Sequence, residues 1–233
     1  MEIQNPSVAV ALATPEDRSD YLRRLATWTL GGLTLTGIVS VLSTMFIAPL
    51  VFQGGSWAVI AVVYGSFLLA QTVVRKMVYG ESKVAGFVLG TSLQGIALGF
   101  LLLITLSLTR VEDGLTLIGQ CLLITVLAAA AMLVYVIGSK RSFSLLGAGL
   151  SMLLIPMLGL MALQLVFPLS GTVGIVVAAI FLLVSVGAML YNLNVVVNRM
   201  NSTMHIEGAY EVTLSVVVLF WNLLSLMNRL RRR

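Results

Sequence analysis

The sequence predicts an all-α membrane protein with seven transmembrane helices. Of its 233 residues, 59% are hydrophobic and only 10% are charged, and the mean hydropathy of +1.04 lies far above that of a soluble domain. A bilayer core about 30 Å thick needs roughly 20 apolar residues per helical crossing, and seven such runs follow one another. The runs lack the alternating polar pattern of a membrane β-barrel, so helices are the structure that satisfies the backbone in lipid.

Short polar breaks separate the seven runs and set their approximate limits. The breaks include QGGS at 53–56, RVEDG at 110–114, PLSG at 168–171 and NRMNSTMHIEG at 198–208. Little length remains for a soluble domain. The predicted spans cover residues 25–50, 56–74, 85–109, 115–139, 144–167, 172–197 and 209–230.

The domain organisation follows from these limits. We predict a polar N-terminal segment at 1–24, a seven-helix transmembrane domain at 25–230 and a basic tail at 231–233. Residues 1–20 are mixed and carry acids, which does not fit a removable signal peptide, so the first span is expected to direct its own insertion.

Orientation is predicted from the lysines and arginines that flank the spans, because these concentrate on the cytoplasmic side. An N-terminus inside is favoured, and we expect a multi-pass protein of a bacterial inner membrane. Seven crossings then put the arginine-rich tail outside; alternatively, one of the last two segments re-enters without crossing. The predicted inner residues are Arg18, Arg23, Arg24, Arg75, Lys76, Lys83, Lys140, Arg141 and Arg199, and the predicted outer ones are Arg110, Arg229, Arg231, Arg232 and Arg233.

The third span contains two pairs of glycines at a spacing of four. Gly86 pairs with Gly90, and Gly95 pairs with Gly99. Residues four apart share a helix face, and glycine there permits close backbone approach in membranes. We expect these positions to form helix-packing contacts, with a ligand-lining role as the alternative.

Polar side chains within the spans are amides rather than acids. Only Glu211 of the nine acids reaches into a predicted span, near a helix start that favours negative charge. Asn194 and Asn198 share a face with Tyr191, whereas Asn192 points away from Asn194. We expect each amide to tie helices together through hydrogen bonds or, alternatively, to line a polar pore. The amides are Gln71, Gln94, Gln120, Gln164, Asn192, Asn194 and Asn222.

Several function classes find no support in the residues. No histidine or lysine lies at depth to activate a serine nucleophile, so we expect no catalytic site and no enzyme activity. The single Cys121 and single His205 provide neither a disulfide framework nor a metal cluster, and no cofactor is expected. The basic residues flank apolar runs instead of forming one soluble face, so no nucleic-acid partner is expected.

Several stretches together resemble one family of membrane proteins. They are TSLQGIALGFLL in the third span, YVIGSKRSFSLLGAGL between the fourth and fifth, and AYEVTLSVVVLFWNLLSLMNRL in the last. In this order they resemble the Bax inhibitor-1 family from about Asp20 onward. The resemblance implies a bundle in which six helices surround a central last helix. It also implies a role in calcium leak, in protection from stress-induced death, or in restraining a membrane-anchored ATP-dependent protease.

The resemblance implies a pH-sensing pair of aspartates between the sixth and seventh helices, which this chain lacks. Matching the motifs places these aspartates at Asn192 and Leu219, and an acid of some relatives at Gln94. An amide and a leucine share no proton. We therefore expect a non-enzymatic membrane regulator that acts through lipid-embedded partners such as a quality-control protease. The alternative is a leak for calcium or another cation, with oxygens of Gln94, Tyr191, Asn192 and Asn194 as ligands.

Overall fold

The computed structural model describes residues 9–108, 110–139, 147, 149–150 and 171–231. Within these residues six helices are long and apolar enough to cross a membrane. We number them α1 to α6 in chain order: α1 Pro15–Gln53, α2 Ser56–Val78, α3 Lys83–Leu108, α4 Val111–Gly138, α5 Gly171–Asn198 and α6 His205–Arg231. The fifth predicted span, 144–167, lies almost entirely outside the described residues.

The helical fold class predicted from hydropathy is confirmed, and the helix limits differ most at the start of α1. The first helix begins at Pro15, within the segment predicted as polar, where the Thr14 hydroxyl accepts a hydrogen bond from the Asp17 N–H at 3.2 Å. Proline in the first turn and a threonine cap favour a helix start. The last helix begins at His205, four residues before its predicted start, which brings Glu207 into its first turn.

Two of the helices contain a π turn. In α1 the α-helix Pro15–Leu42 passes through a π turn at Ser43–Ile47 into Ala48–Gln53. Pro49 follows this turn, and a proline within a helix removes a backbone hydrogen bond and displaces the preceding turn. In α2 the helix Ser56–Leu69 passes through a π turn at Ala70–Val74 into Arg75–Val78.

Helices α3 and α6 form the interior of the bundle. They are the two most buried spans, and α6 contacts α1, α3, α4 and α5. The largest core cluster joins Tyr21 and Leu25 of α1 to Phe87 of α3 and Tyr210 of α6. In lipid, such side chains hold the helices together through close van der Waals packing, because moving them from lipid into the core gives little hydrophobic gain. Among the described helices, the last one is therefore central to the bundle.

One end of the bundle, which we call the N-terminal end, is where α1, α3 and α6 begin and α2, α4 and α5 end. The segment before α1 closes over it, because the Val10 N–H donates to the Met200 carbonyl at 2.9 Å. The Tyr21 hydroxyl donates to the Val196 carbonyl at 3.0 Å. These bonds fix the loop before α6 and hence the position of its first two turns.

Candidate functional site

Two buried glutamates lie in the first two turns of α6. Glu207 and Glu211 are four residues apart, so their side chains lie on one face of the helix, and their side chains are only 2% and 8% exposed. The start of a helix carries partial positive charge, which favours acids there. Burial this deep still requires a paired counter-charge.

Each glutamate has a basic partner in the hairpin of α2 and α3: Arg75 lies in the last turn of α2, and Lys83 is the first residue of α3. The Arg75 guanidinium lies 2.9 Å from Glu211 Oε1, and the Lys83 ammonium lies 2.6 Å from Glu207 Oε1. The cations are about half exposed, 49% for Arg75 and 43% for Lys83. The buried members of both pairs are therefore the acids, and the bases reach them from the solvent side.

Tyr79, in the turn of the same hairpin, completes the pair at Glu211. Its hydroxyl donates to Glu211 Oε1 at 3.0 Å, and the Arg75 guanidinium lies 5.8 Å from the centre of its ring. Burial and the adjacent Glu211 carboxylate raise the pKa of the Tyr79 phenol above its usual range. Tyr79 therefore stays protonated at physiological pH and remains a hydrogen-bond donor.

Tyr210, between the two glutamates, ties α6 to the π turn of α2. Its hydroxyl donates to the Ala70 carbonyl at 2.8 Å. The ring lies against Gly90 of α3, where an added Cβ would be 2.5 Å from a ring carbon. Tyr210 therefore fits only because residue 90 is a glycine.

The four glycines singled out in the sequence lie on two faces of α3. Added Cβ atoms at Gly86 and Gly90 would meet α2 within 3 Å, at Val78 N and Val74 Cγ1. Those at Gly95 and Gly99 would meet carbonyls of α1 at 2.8 Å. The structure therefore separates the two pairs into two seams, one toward α2 and one toward α1.

Asn192 links α5 to α6 close to the glutamates. Its Nδ2 donates to the Ser215 hydroxyl at 2.9 Å, and that hydroxyl donates to the Glu211 carbonyl at 2.8 Å. Leu219, the other position matched to an aspartate, is buried in the core. Where the resemblance implies an acid pair, a neutral hydrogen bond and an apolar side chain are found.

The other predicted site residues do not converge with Asn192. Asn194 accepts a hydrogen bond from Asn198 at 2.8 Å within α5 itself. The Tyr191 ring lies against Gly147, and Asn222 is partly buried in α6. Gln94 is buried in α3 beside Tyr210.

Sequence reasoning placed Glu207 in a loop and treated Glu211 as a residue at a helix start. It counted Arg75 and Lys83 only as membrane-flanking charges. The one available signal was the four-residue spacing of the two acids, which predicts a shared face once both belong to one helix. Within the described residues, no three His, Cys, Asp or Glu side chains converge as metal ligands. The charged pairs link α2 and α3 to α6, and the Asn192–Ser215 hydrogen bond links α5 to α6.

The fold and the site define a multi-pass helical membrane protein with a charge-paired N-terminal end. Comparison with known families identifies it further: the family described as "Inhibitor of apoptosis-promoting Bax1" matches residues 18–232. The chain therefore belongs to the Bax inhibitor-1 family, as the sequence motifs predicted. A search of curated proteins found no match to this chain.

Proposed function

We propose that this protein is a non-enzymatic regulator that acts through contacts with other membrane proteins, a membrane-anchored ATP-dependent protease among them. We place it in a bacterial inner membrane with its N-terminus in the cytoplasm. The family resemblance offers two classes of function, a cation leak and a contact-based regulator. The charges in the bundle favour the second class.

The observation that carries the proposal is the charge balance around the start of α6. Glu207 and Glu211 are both paired with cations, and the α5–α6 interface has the Asn192–Ser215 hydrogen bond. A leak gated by a shared proton needs two carboxylates in contact. Glu207 and Glu211 are one helical turn apart on α6, and each has its own base.

Site-specific crosslinking in native membranes tests the proposal. A photoreactive residue at Leu12, which is exposed at the N-terminal end, should capture a protease subunit if that end faces the cytoplasmic ATPase. The matched control is Trp57, a large hydrophobic residue that is similarly exposed at the opposite end. Reproducible absence of any partner at position 12, with monomeric protein recovered, contradicts the proposal.

A cation leak is the second candidate, because buried oxygen atoms without partners are present in the core. Glu207 Oε2 and the Thr213 hydroxyl have no hydrogen-bond partner among the described residues. Calcium accepts carboxylate and hydroxyl oxygens, although high affinity draws on several carboxylates. A calcium flux into dye-loaded liposomes that is lost in Glu207→Gln would favour the leak, and a flux lost in Asn192→Leu would implicate the α5–α6 interface.

A further inference from the structure

The side-chain amide of Gln94 is the most fully isolated polar group in the described core. Gln94 is 1% exposed, and neither Oε1 nor Nε2 makes a hydrogen bond of acceptable geometry to a described residue. Buried amides in proteins nearly always have partners, because leaving them without one is strongly unfavourable. In a membrane bundle the surrounding lipid cannot supply the missing partner.

The nearest polar group, the Tyr210 hydroxyl, cannot satisfy this amide. Gln94 lies beside that hydroxyl, but the single hydroxyl hydrogen is donated to the Ala70 carbonyl at 2.8 Å. The hydroxyl could therefore offer Gln94 only a lone pair, and the Ala70 carbonyl likewise only accepts. Gln94 Oε1 would still lack a donor.

The local backbone has the features of a hydrated site. Ala70 begins the π turn of α2, and π turns are frequent at functional sites. Ordered water is one of the partners that satisfy backbone groups freed by such irregularities in membrane helices. Gly90, one turn before Gln94 on α3, lets the Tyr210 ring and hydroxyl approach α3 closely.

We propose that Gln94, the Tyr210 hydroxyl and the Ala70 carbonyl bind buried water between α2, α3 and α6. Gln94 presents one donor group and one acceptor, and water can donate to Oε1 while accepting from Nε2. A bare cation would satisfy Oε1 but be repelled by the amide hydrogens. Buried waters typically make about three hydrogen bonds to such groups. This site is separate from the ion pairs and independent of the proposed regulatory role.

Radiolytic hydroxyl labelling of the full-length protein in detergent tests the proposal without any substitution. Hydroxyl radicals form from water in place, so a fully buried ring is labelled only where water lies next to it. Tyr210 should be labelled well above Phe100, an equally buried aromatic residue of α3 in an apolar cluster. Labelling of Tyr210 no greater than that of Phe100 overturns the proposal.

The substitution Gln94→Met gives an independent test, because it should shift the Tm in opposite directions depending on whether water binds the Gln94 amide. If water satisfies the amide, the variant loses those hydrogen bonds, its Tm falls by a few degrees and Tyr210 labelling decreases. If the amide is dry and unsatisfied, removing it raises the Tm, which contradicts the proposal. Gln120→Met is the matched control, because Gln120 is exposed on α4 and should leave both readouts unchanged.

Discussion

Removing the two members of the Arg75–Glu211 pair should have unequal effects on stability. Glu211 is 8% exposed and Arg75 is 49% exposed, so Arg75→Gln leaves a carboxylate buried, with Tyr79 as its remaining side-chain donor. Breaking a buried pair in this way typically costs about 3–5 kcal/mol. We expect about 3 kcal/mol, the low end of that range, because Tyr79 still donates and water reaches the outer side of the pair.

Substituting the buried member of the pair, Glu211, leaves only the half-exposed Arg75. Glu211→Gln keeps the size of the side chain and an oxygen that can accept from Tyr79, and the half-exposed Arg75 can be solvated. We expect a loss of about 1 kcal/mol, similar to one ordinary hydrogen bond. The double variant should resemble Glu211→Gln alone, since Arg75 then has no buried charge to neutralise.

Equilibrium unfolding of the purified variants in one detergent measures these differences. Arg231→Gln is the control for loss of an arginine, because Arg231 reaches an exposed carbonyl of Asp113 at 3.3 Å and should change stability by less than about 0.5 kcal/mol. Equal losses for Arg75→Gln and Glu211→Gln, or a larger loss for Glu211→Gln, would refute the reasoning from burial.

Three further predictions concern the packing of Tyr210 against Gly90, the Asn192–Ser215 hydrogen bond between α5 and α6, and Tyr79 in the α2–α3 turn. Gly90→Ala should destabilise the protein by about 1–3 kcal/mol in the same unfolding assay through overpacking against Tyr210, whereas Gly119→Ala, with nothing within 4 Å, should be neutral or stabilising. Asn192→Ala and Ser215→Ala should each cost about 0.6–2 kcal/mol with non-additive effects; additive losses would show that the bond contributes nothing. Because its folded pKa is raised, Tyr79 should contribute pH-independent stability below its ordinary pKa of about 10 and lose it as pH rises further; a Tyr79→Phe variant that retains the same alkaline loss would contradict this.

The fold could be predicted from the sequence because spans in lipid are set by length and hydropathy. The starts of α1 and α6 were less predictable. Residues 15–24 are polar and look like a solvated segment, yet they form the first turns of α1, before the apolar run begins. The residues Thr14 to Asp17 contain the capping signals that mark its true start.

The site was far less predictable, because its partners are distant in the chain. Nothing near Glu211 in the sequence indicates that Arg75 and Tyr79 contact it. Flanking cations are also common at membrane surfaces for reasons of topology alone, so Lys83 carried no signal of pairing with Glu207. The motif positions Asn192 and Leu219 lie on α5 and α6, but the paired glutamates Glu211 and Glu207 lie about two and three turns before Leu219.

The most direct test of the central claim is calcium flux through the purified protein in dye-loaded liposomes as the pH is varied, because carboxylates that share a proton would make such a flux depend on pH. The paired charges predict no flux above that of empty liposomes and no change with pH. A calcium flux that varies with pH and is abolished by Glu207→Gln or Glu211→Gln, in variants that remain folded, would contradict the claim and establish a leak.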